Sequence, residues 1–353
     1  MPLNPMIWLL LDSRSFGGIE THVLELAKGL LAHNCQVKVV FSNEYHPTPP
    51  LETALNQCSI ATMTLSRDYP NIHPLLRLKE AISSAAHNQR PAVIHTHGYK
   101  GSLLARVTRL LGYTDSIRIV SSFHAGETPK GRVKFYDALD RFSAFLSEQR
   151  ICVSRTIQSK LPYNSILVKN FVPKASLVSL SARNVAFVGR LSEEKGPDTF
   201  IEMATHFPNH TFDIYGSGPM ESLLKEMASD NVHFHGHQSD MNSVWQNVDL
   251  LLITSRYEGL PMAALEAMSR GIPVVSFELG ELPSVIDTGS NGWIASSREE
   301  MITILGSWFS LSEAKRSQIK YHAQQTIELN YSTDVVIPTM LGVYGLSNAN
   351  ETP

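Results

Sequence analysis

The 353-residue sequence holds only three cysteines, Cys35, Cys58 and Cys152. They are scattered, which excludes a disulfide framework and a cysteine-based metal knot and fits a reducing cytoplasm. Long apolar runs are also missing. The longest, near Met6–Leu11 and Asp249–Ile253, are strand-length, far from the roughly 20 residues of a spanning helix. Met1 is followed by Pro2, Asn4 and Pro5 with no basic segment, so no signal peptide is expected. There is no low-complexity tract and no repeat at solenoid spacing. After Gly17-Gly18 the third glycine of a Gly-x-Gly-x-x-Gly fingerprint is absent, which argues against a nicotinamide-dependent dehydrogenase. No stretch interleaves basic and aromatic residues as a nucleic-acid groove would, so no nucleic-acid partner is expected.

What is present is alternation. Apolar runs of strand length are followed by segments with helical periodicity, twice over, in a chain long enough for two α/β domains. Strands are expected at Ile7–Leu11, Val37–Ser42, Ile60–Leu65, Ala92–Thr96, Ile117–Phe123, Ile151–Ser154 and Ile166–Lys169. A second series is expected at Asn184–Val188, Phe212–Tyr215, Val232–Phe234, Asp249–Thr254, Pro273–Phe277 and after Asn291-Gly292-Trp293. The proline-rich segment around Pro47, Pro49 and Pro50 reads as a loop or short lid, Leu75–Asn88 as one helix, and the last seven residues as frayed. The net charge of −3 conceals an asymmetry. Residues 1–170 carry 19 Lys/Arg against 12 Asp/Glu and residues 171–353 carry 11 against 21, so the first half is basic and the second acidic. A basic half can be drawn to anionic lipid or to an anionic acceptor, or be an unevenly charged solvated surface.

The most informative stretch runs from Thr254 to Ile272. A buried strand leads through Glu258-Gly259-Leu260 to a helix with Pro261 in its first turn, Glu266 on its body and Gly271 at its end. The amides of Gly259, Leu260 and Met262 at that helix start can hold phosphate. One carboxylate lies in front and one beside, an arrangement suited to a phosphorylated sugar. Taken alone, the same residues are equally a strand and a helix with two glutamates on a wet edge. Upstream, Arg190 and Lys195 stand five apart on a loop bounded by Gly189 and Gly196, where a guanidinium fork and an ammonium can neutralise a diphosphate. Gly216 and Gly218 follow another strand and permit close backbone approach. In the first half, Gly17 and Gly18 sit between strand and helix. His95 and His97 alternate on a strand and so share a face; they can bind metal only with a third ligand, and no convincing one is visible. His124 follows the next strand.

Glu-Gly-Leu-Pro followed after seven residues by Glu-Ala-Met resembles the donor motif of retaining GT-B glycosyltransferases, in particular glycosyltransferase family 4. Gly189-Arg190-Leu191 with Lys195-Gly196 is similar to that family's pyrophosphate motif. Gly17-Gly18-x-Glu20 is similar to its glycine loop, and Asn170-Phe171-Val172-Pro173 to its domain linker, with Phe171 where a glycine is usual. Ser284 stands where the family often has a glutamate, and no role is carried onto it. The resemblance spans nearly the whole chain. It implies a GT-B fold, two doubly wound Rossmann-like domains facing each other across a cleft. The acceptor-side domain would be residues 1–170, the linker 171–183 and the donor-binding domain 184–330. Residues 331–353 would cross back to the first.

The activity it implies is retaining transfer of a hexosyl group from a nucleoside-diphosphate sugar, UDP favoured, to a glycan or lipid-linked glycan in bacterial envelope or exopolysaccharide synthesis. His97, Glu258, Arg190 and Lys195 would be catalytic. Gly17, Gly18, Arg190, Lys195, Gly216, Gly218, His235, Glu258, Gly259, Leu260 and Glu266 would hold the donor, and Glu20 and His124 would lie on the acceptor side. The other major glycosyltransferase fold holds a divalent metal with Asp-x-Asp; that motif is absent here, and the basic pair can serve instead, so metal independence and no cofactor are expected. Lys130, Arg132 and Lys134 before the helix at Phe135–Leu146 are candidates for an anionic acceptor or lipid headgroups. That would make the protein cytoplasmic, with possible peripheral contact at the inner face of a membrane. An epimerase or sugar phosphorylase on the same fold, and an idle sugar-binding scaffold, are the alternatives.

Overall fold

The structure, a computed structural model, describes residues 4–114, 116–124, 132–178, 184–238 and 240–346. Its contacts divide the chain into two units, Met1–Phe171 with Thr333–Pro353, and Val172–Ser332.

The first unit is built on seven parallel strands, β1 Met6–Leu11, β2 Gln36–Phe41, β3 Ala61–Thr64, β4 Val93–His97, β5 Arg118–Phe123, β6 Gln149–Cys152 and β7 Ile166–Leu167. They lie in the order β3-β2-β1-β4-β5-β6-β7. The order reverses between β1 and β4, so the loops leaving those strands diverge and open a crevice at the carboxyl edge. Helices cover both faces, which is why β1 reads as an unbroken apolar run. Ile7, Leu9 and Leu11 join one core cluster, and Trp8 and Leu10 the opposite one. The helix Thr333–Tyr344 lies against Gly18–Ala32. A Cβ at Gly29 would fall 2.6 Å from Ile337, so glycine there sets the closeness of the two helices.

The second unit has six parallel strands, β8 Asn184–Val188, β9 Phe212–Tyr215, β10 Val232–Gly236, β11 Val248–Ile253, β12 Val274–Phe277 and β13 Gly292–Ala295. Their order is β10-β9-β8-β11-β12-β13, with the reversal between β8 and β11. The one charged residue on β11, Asp249, is buried and meets Lys320 and Arg316 of the helix Glu313–Asn330 as ion pairs. Val172 and Ser332 form a parallel bridge at the two ends of this unit.

Two expectations change. The proline-rich segment is not simply a loop, because Pro50 opens a helix, Pro50–Gln57, that buries Leu51 and Leu55. Proline has the φ of a first helical turn and loses nothing there by lacking an N–H. The single helix expected at Leu75–Asn88 is three pieces, Pro74–Leu76, Arg77–Ser84 and His87–Gln89, interrupted where Ala85 turns extended. The last seven residues lie outside the described residues.

Candidate active site

In the second unit the chemistry gathers where β8 and β11 end side by side. The loop after β8 carries Arg190, exposed, and then a short turn, Glu193–Lys195, closed by Gly196 in the left-handed region at φ 62°. Gly196 has no room for a side chain: a Cβ would fall 2.1 Å from the Thr254 carbonyl oxygen. The Thr254 hydroxyl donates to the Gly196 carbonyl at 2.7 Å, and the Arg256 amide to the Glu194 carbonyl at 2.8 Å. The two loops are therefore pinned together through backbone. Across that joint Lys195 Nζ meets Glu258 Oε1 at 2.7 Å, and Ser255 donates to the same oxygen at 2.7 Å. Arg256 forks onto Asp198 beside them. Burial would raise the Glu194 carboxyl, but the Ser192 hydroxyl, its own backbone and the charges of Arg190 and Lys195 hold it below the usual range.

Glu266 lies half-buried on the helix Met262–Ser269. Pro261 is the residue before that helix, in extended conformation, rather than its first helical residue. Gly271 follows the helix at φ 74°, the left-handed stop expected of it. Leu260 is buried in the core. Gly259 belongs to a loop held against the next one, since the Glu281 amide donates to its carbonyl at 2.8 Å. Ser284 sits one turn after Glu281 and its hydroxyl donates back to the Glu281 carbonyl.

Gly216 and Gly218 have a need the sequence reading did not foresee. A Cβ at Gly216 would fall 1.9 Å from the Gly189 carbonyl oxygen, and one at Gly218 2.4 Å from that of Leu191. Their close approach is to the arginine loop itself, which they clamp through the bonds Leu191 N–H to Ser217 and Met220 N–H to Leu191. His235 is exposed and stacks on Tyr215 at 4.5 Å, with its Nε2 2.7 Å from the buried Asp213. Both rings line an open polar pocket of about 370 Å³ with Asn184, Thr211 and Asn247.

In the first unit four histidines converge around the reversal between β1 and β4. His95 and His97 do share a face, ring to ring at 4.2 Å. His95 is fully committed, with Nδ1 2.7 Å from the Tyr344 hydroxyl and Nε2 2.7 Å from that of Ser122. His97 places Nδ1 3.2 Å from His124 Nε2. His22, from the helix after β1, comes within 4.8 Å of the His124 ring centre and 5.6 Å of that of His97. Phe171 closes the other side of His22 at 5.2 Å, so the linker-motif departure from glycine gives a wall to this cluster. Burial drives all four imidazoles toward the neutral form, and their mutual repulsion adds to it for His22, His95 and His97. His95 falls to about 3, His124 to about 4, and His22 and His97 well below 6.5, with Asn170 acting the other way on His22.

Gly17 is extended at φ −160°, and a Cβ there would find nothing nearer than Glu20 at 3.4 Å. The fold itself does not demand glycine at that position; Gly18 begins the helix. Glu20 turns back to accept from Ser13 at 2.9 Å, and burial raises its carboxyl. His22 was missed by sequence reasoning because it sits on the apolar face of a helix between Ile19 and Val23, where a histidine reads as packing. Also unforeseen is Asp12, which directly follows β1 and holds Lys100 at 2.5 Å, Asn43 at 2.8 Å and the Tyr45 hydroxyl at 3.0 Å. Of the basic group before the next helix, Lys134 is exposed; Lys130, the segment Ala125 to Glu127 and the side chain of Arg132 lie outside the described residues.

Two family models match this chain. The model described as Glycosyltransferase Family 4 covers residues 16–162, and that described as Glycosyl transferases group 1 covers residues 182–306. The chain is a family 4 glycosyltransferase. It is thus an enzyme of a retaining family, on the GT-B fold with parallel sheets of seven and six strands. This family 4 enzyme is 25% identical over 311 residues to the O-antigen biosynthesis glycosyltransferase WbnH of Escherichia coli, covering 84% of this chain and 87% of that one. It is 27% identical over 219 residues to the Escherichia coli UDP-Gal:alpha-D-GlcNAc-diphosphoundecaprenol alpha-1,3-galactosyltransferase, covering 52% and 57%. The structure of HepE from Anabaena, in complex with UDP and glucose, superposes with a TM-score of 0.80 over 96% of this chain and 99% of that one, at 16% identity. Among the described residues no helix is long and apolar enough to cross a membrane.

Proposed function

We propose that this glycosyltransferase moves a hexosyl group from a UDP-sugar to a glycan or lipid-linked glycan acceptor in bacterial envelope or exopolysaccharide synthesis. The observation that carries the donor half is the pinned loop pair at the ends of β8 and β11, with Lys195 held 2.7 Å from Glu258 and Arg190 exposed beside it. Two cations carried on loops that backbone bonds pin in place are positioned to meet charge growing on a departing diphosphate. The helix start at Met262 adds first-turn amides that have no intrahelical acceptor. Glu258 then serves the sugar hydroxyls and Glu266 the ribose hydroxyls. Gly216 and Gly218 act by shaping the arginine loop, and His235, backed by Tyr215, offers a flat ring to the base.

On the sugar side, His97 is a neutral hydrogen-bonding imidazole, and His124 faces the acceptor. Gly17 and Gly18 leave the backbone bare for the donor, which is the use that remains for a glycine the fold does not require. The acceptor hydroxyl attacks the anomeric carbon from the face of the leaving group. The bond from that carbon to the diphosphate oxygen breaks, the same oxygen takes the acceptor's proton, and UDP leaves. No side chain forms a covalent intermediate, and the basic pair does what a diphosphate-bound metal would do. The relatives named for O-antigen synthesis, one acting on a diphosphoundecaprenol-linked sugar, support the acceptor class. So does an exposed stripe of Phe135, Leu139 and Phe142 with Tyr136 and Phe145, which can lie against lipid near such an acceptor.

The test is a product assay with UDP-hexoses and polyprenyl-diphosphate-linked glycans. The proposal expects UDP release that requires acceptor, and a product with the donor's anomeric configuration by NMR. UDP release with no acceptor would instead indicate an epimerase, and dependence on inorganic phosphate a phosphorylase.

A further inference from the structure

We propose that His22, His97 and His124 form a binding site for one divalent transition-metal ion of the zinc type, independent of the diphosphate. The three side chains each offer one nitrogen, and these nitrogens all lie within 4.8 Å of one another. His97 Nδ1 and His124 Nε2 are already 3.2 Å apart. Two nitrogens bound at 2.0–2.1 Å to a tetrahedral ion stand about 3.3 Å apart. The third ligand, His22, needs to close by about 1.5 Å at most, a change within the reach of a side-chain rotation.

The cluster also has the right chemistry. A metal takes the neutral imidazole, and burial already keeps these rings neutral. An all-nitrogen set suits zinc and its neighbours and is wrong for magnesium or calcium, which require oxygen ligands. Three protein ligands leave a fourth position for water or a hydroxyl oxygen. Both ring nitrogens of His22 are buried without a hydrogen bond of ordinary geometry, although the Asn170 side chain lies near enough to act on the ring, and an ion would engage one of them. Buried polar atoms without partners are rare because each forfeits its water without replacement. A single hydrogen bond between His97 and His124 accounts for the 3.2 Å distance but leaves His22 unexplained. His95 is excluded as a ligand because both its nitrogens are engaged; it supports the site by packing a tilted ring against His97 and anchoring to Tyr344.

No carboxylate belongs to the set, so the ion keeps its full positive charge in a buried place. That cost weakens binding relative to a site that includes a carboxylate. An ion bound there takes one nitrogen of His97, a residue assigned to the sugar, and places positive charge beside it, so it should inhibit transfer and be reversed by chelator.

The experiment reads metal directly, with no nucleotide or acceptor present, so its outcome is separate from that of the transfer reaction. Chelator-stripped protein is titrated with Co²⁺, following the visible absorption of the ion, and Zn²⁺ is measured by displacement. The site predicts one equivalent with the intense spectrum of four-coordinate Co²⁺. His22→Asn and His124→Asn should each weaken binding tenfold or more, whereas the exposed His206→Asn should leave it unchanged. The stoichiometry and spectrum are read on the wild-type protein and stand even if a variant fails to fold. Binding well below one equivalent, or the faint spectrum of a six-coordinate ion, would overturn the site.

Discussion

At the carboxyl edge of the second sheet, Lys195 and Glu258 meet as an ion pair 2.7 Å apart with Arg190 exposed beside them. At the same edge of the first sheet, four imidazoles crowd together and are held neutral by burial. Both places are where the strand order reverses, β8 to β11 in one and β1 to β4 in the other. The two folds are alike, and the electrostatics are opposite. A sheet reversal provides a place, and the side chains decide whether it stabilises a growing negative charge or presents uncharged hydrogen-bonding rings. The pinned, charged loops suit a departing diphosphate, and the neutral cluster suits hydroxyl-bearing sugar, or an ion that binds uncharged imidazole.

The comparison is broken most severely by Arg190→Ala or Lys195→Ala, each expected to lower kcat/KM for transfer by roughly 10²–10³-fold, the range seen when one preorganised donor to a developing anion is removed. Steady-state rates at fixed acceptor measure it. Less severe is His97→Asn, expected to lower kcat by about tenfold to a hundredfold through loss of a buried hydrogen bond to the reacting sugar. A rate unchanged in His97→Asn would remove the first unit from the chemistry.

Acid sharpens the contrast next. The four folded-state histidine pKa values are depressed, so the unfolded chain binds more protons as pH falls below about 6.5. Their contribution to stability is complete above that pH and is lost as pH falls toward about 4 for His124 and about 3 for His95. Thermal midpoints should therefore fall between about pH 7 and about pH 5, and fall less steeply in His22→Asn. The smallest effect is expected at the exposed aromatic stripe. Phe135→Ser with Phe142→Ser should reduce co-sedimentation with anionic vesicles by about tenfold or less, leaving UDP binding unaltered.

The charged half of this comparison was legible in the sequence, and the neutral half only partly. Arg190 and Lys195 stand out on a glycine-bounded loop after an apolar run, whereas Glu258 and Glu266, which alone read equally as a wet edge, stand out only through their resemblance to the family's donor motif. The strands were legible for the same kind of reason: burial on both faces writes β1 and β11 as continuous apolar runs. His22 was not legible, since one histidine among helical apolar positions carries no sign of which distant strand ends it will meet. Gly216 and Gly218 were visible as glycines, but their contact is with Gly189 and Leu191, an approach between loops more than 25 residues apart that local pattern does not encode. Pro50 misled because proline both breaks and begins helices, and only burial of Leu51 and Leu55 decides which.

The most direct test of the division of labour is calorimetric titration of UDP into the wild-type enzyme, Arg190→Ala and His97→Asn. The account predicts that Arg190→Ala weakens UDP by tenfold or more and that His97→Asn binds it as the wild type does, although transfer by His97→Asn is impaired. Equal weakening in both variants, or UDP binding that survives Arg190→Ala intact, would contradict the assignment of the diphosphate to the charged loops of the second unit.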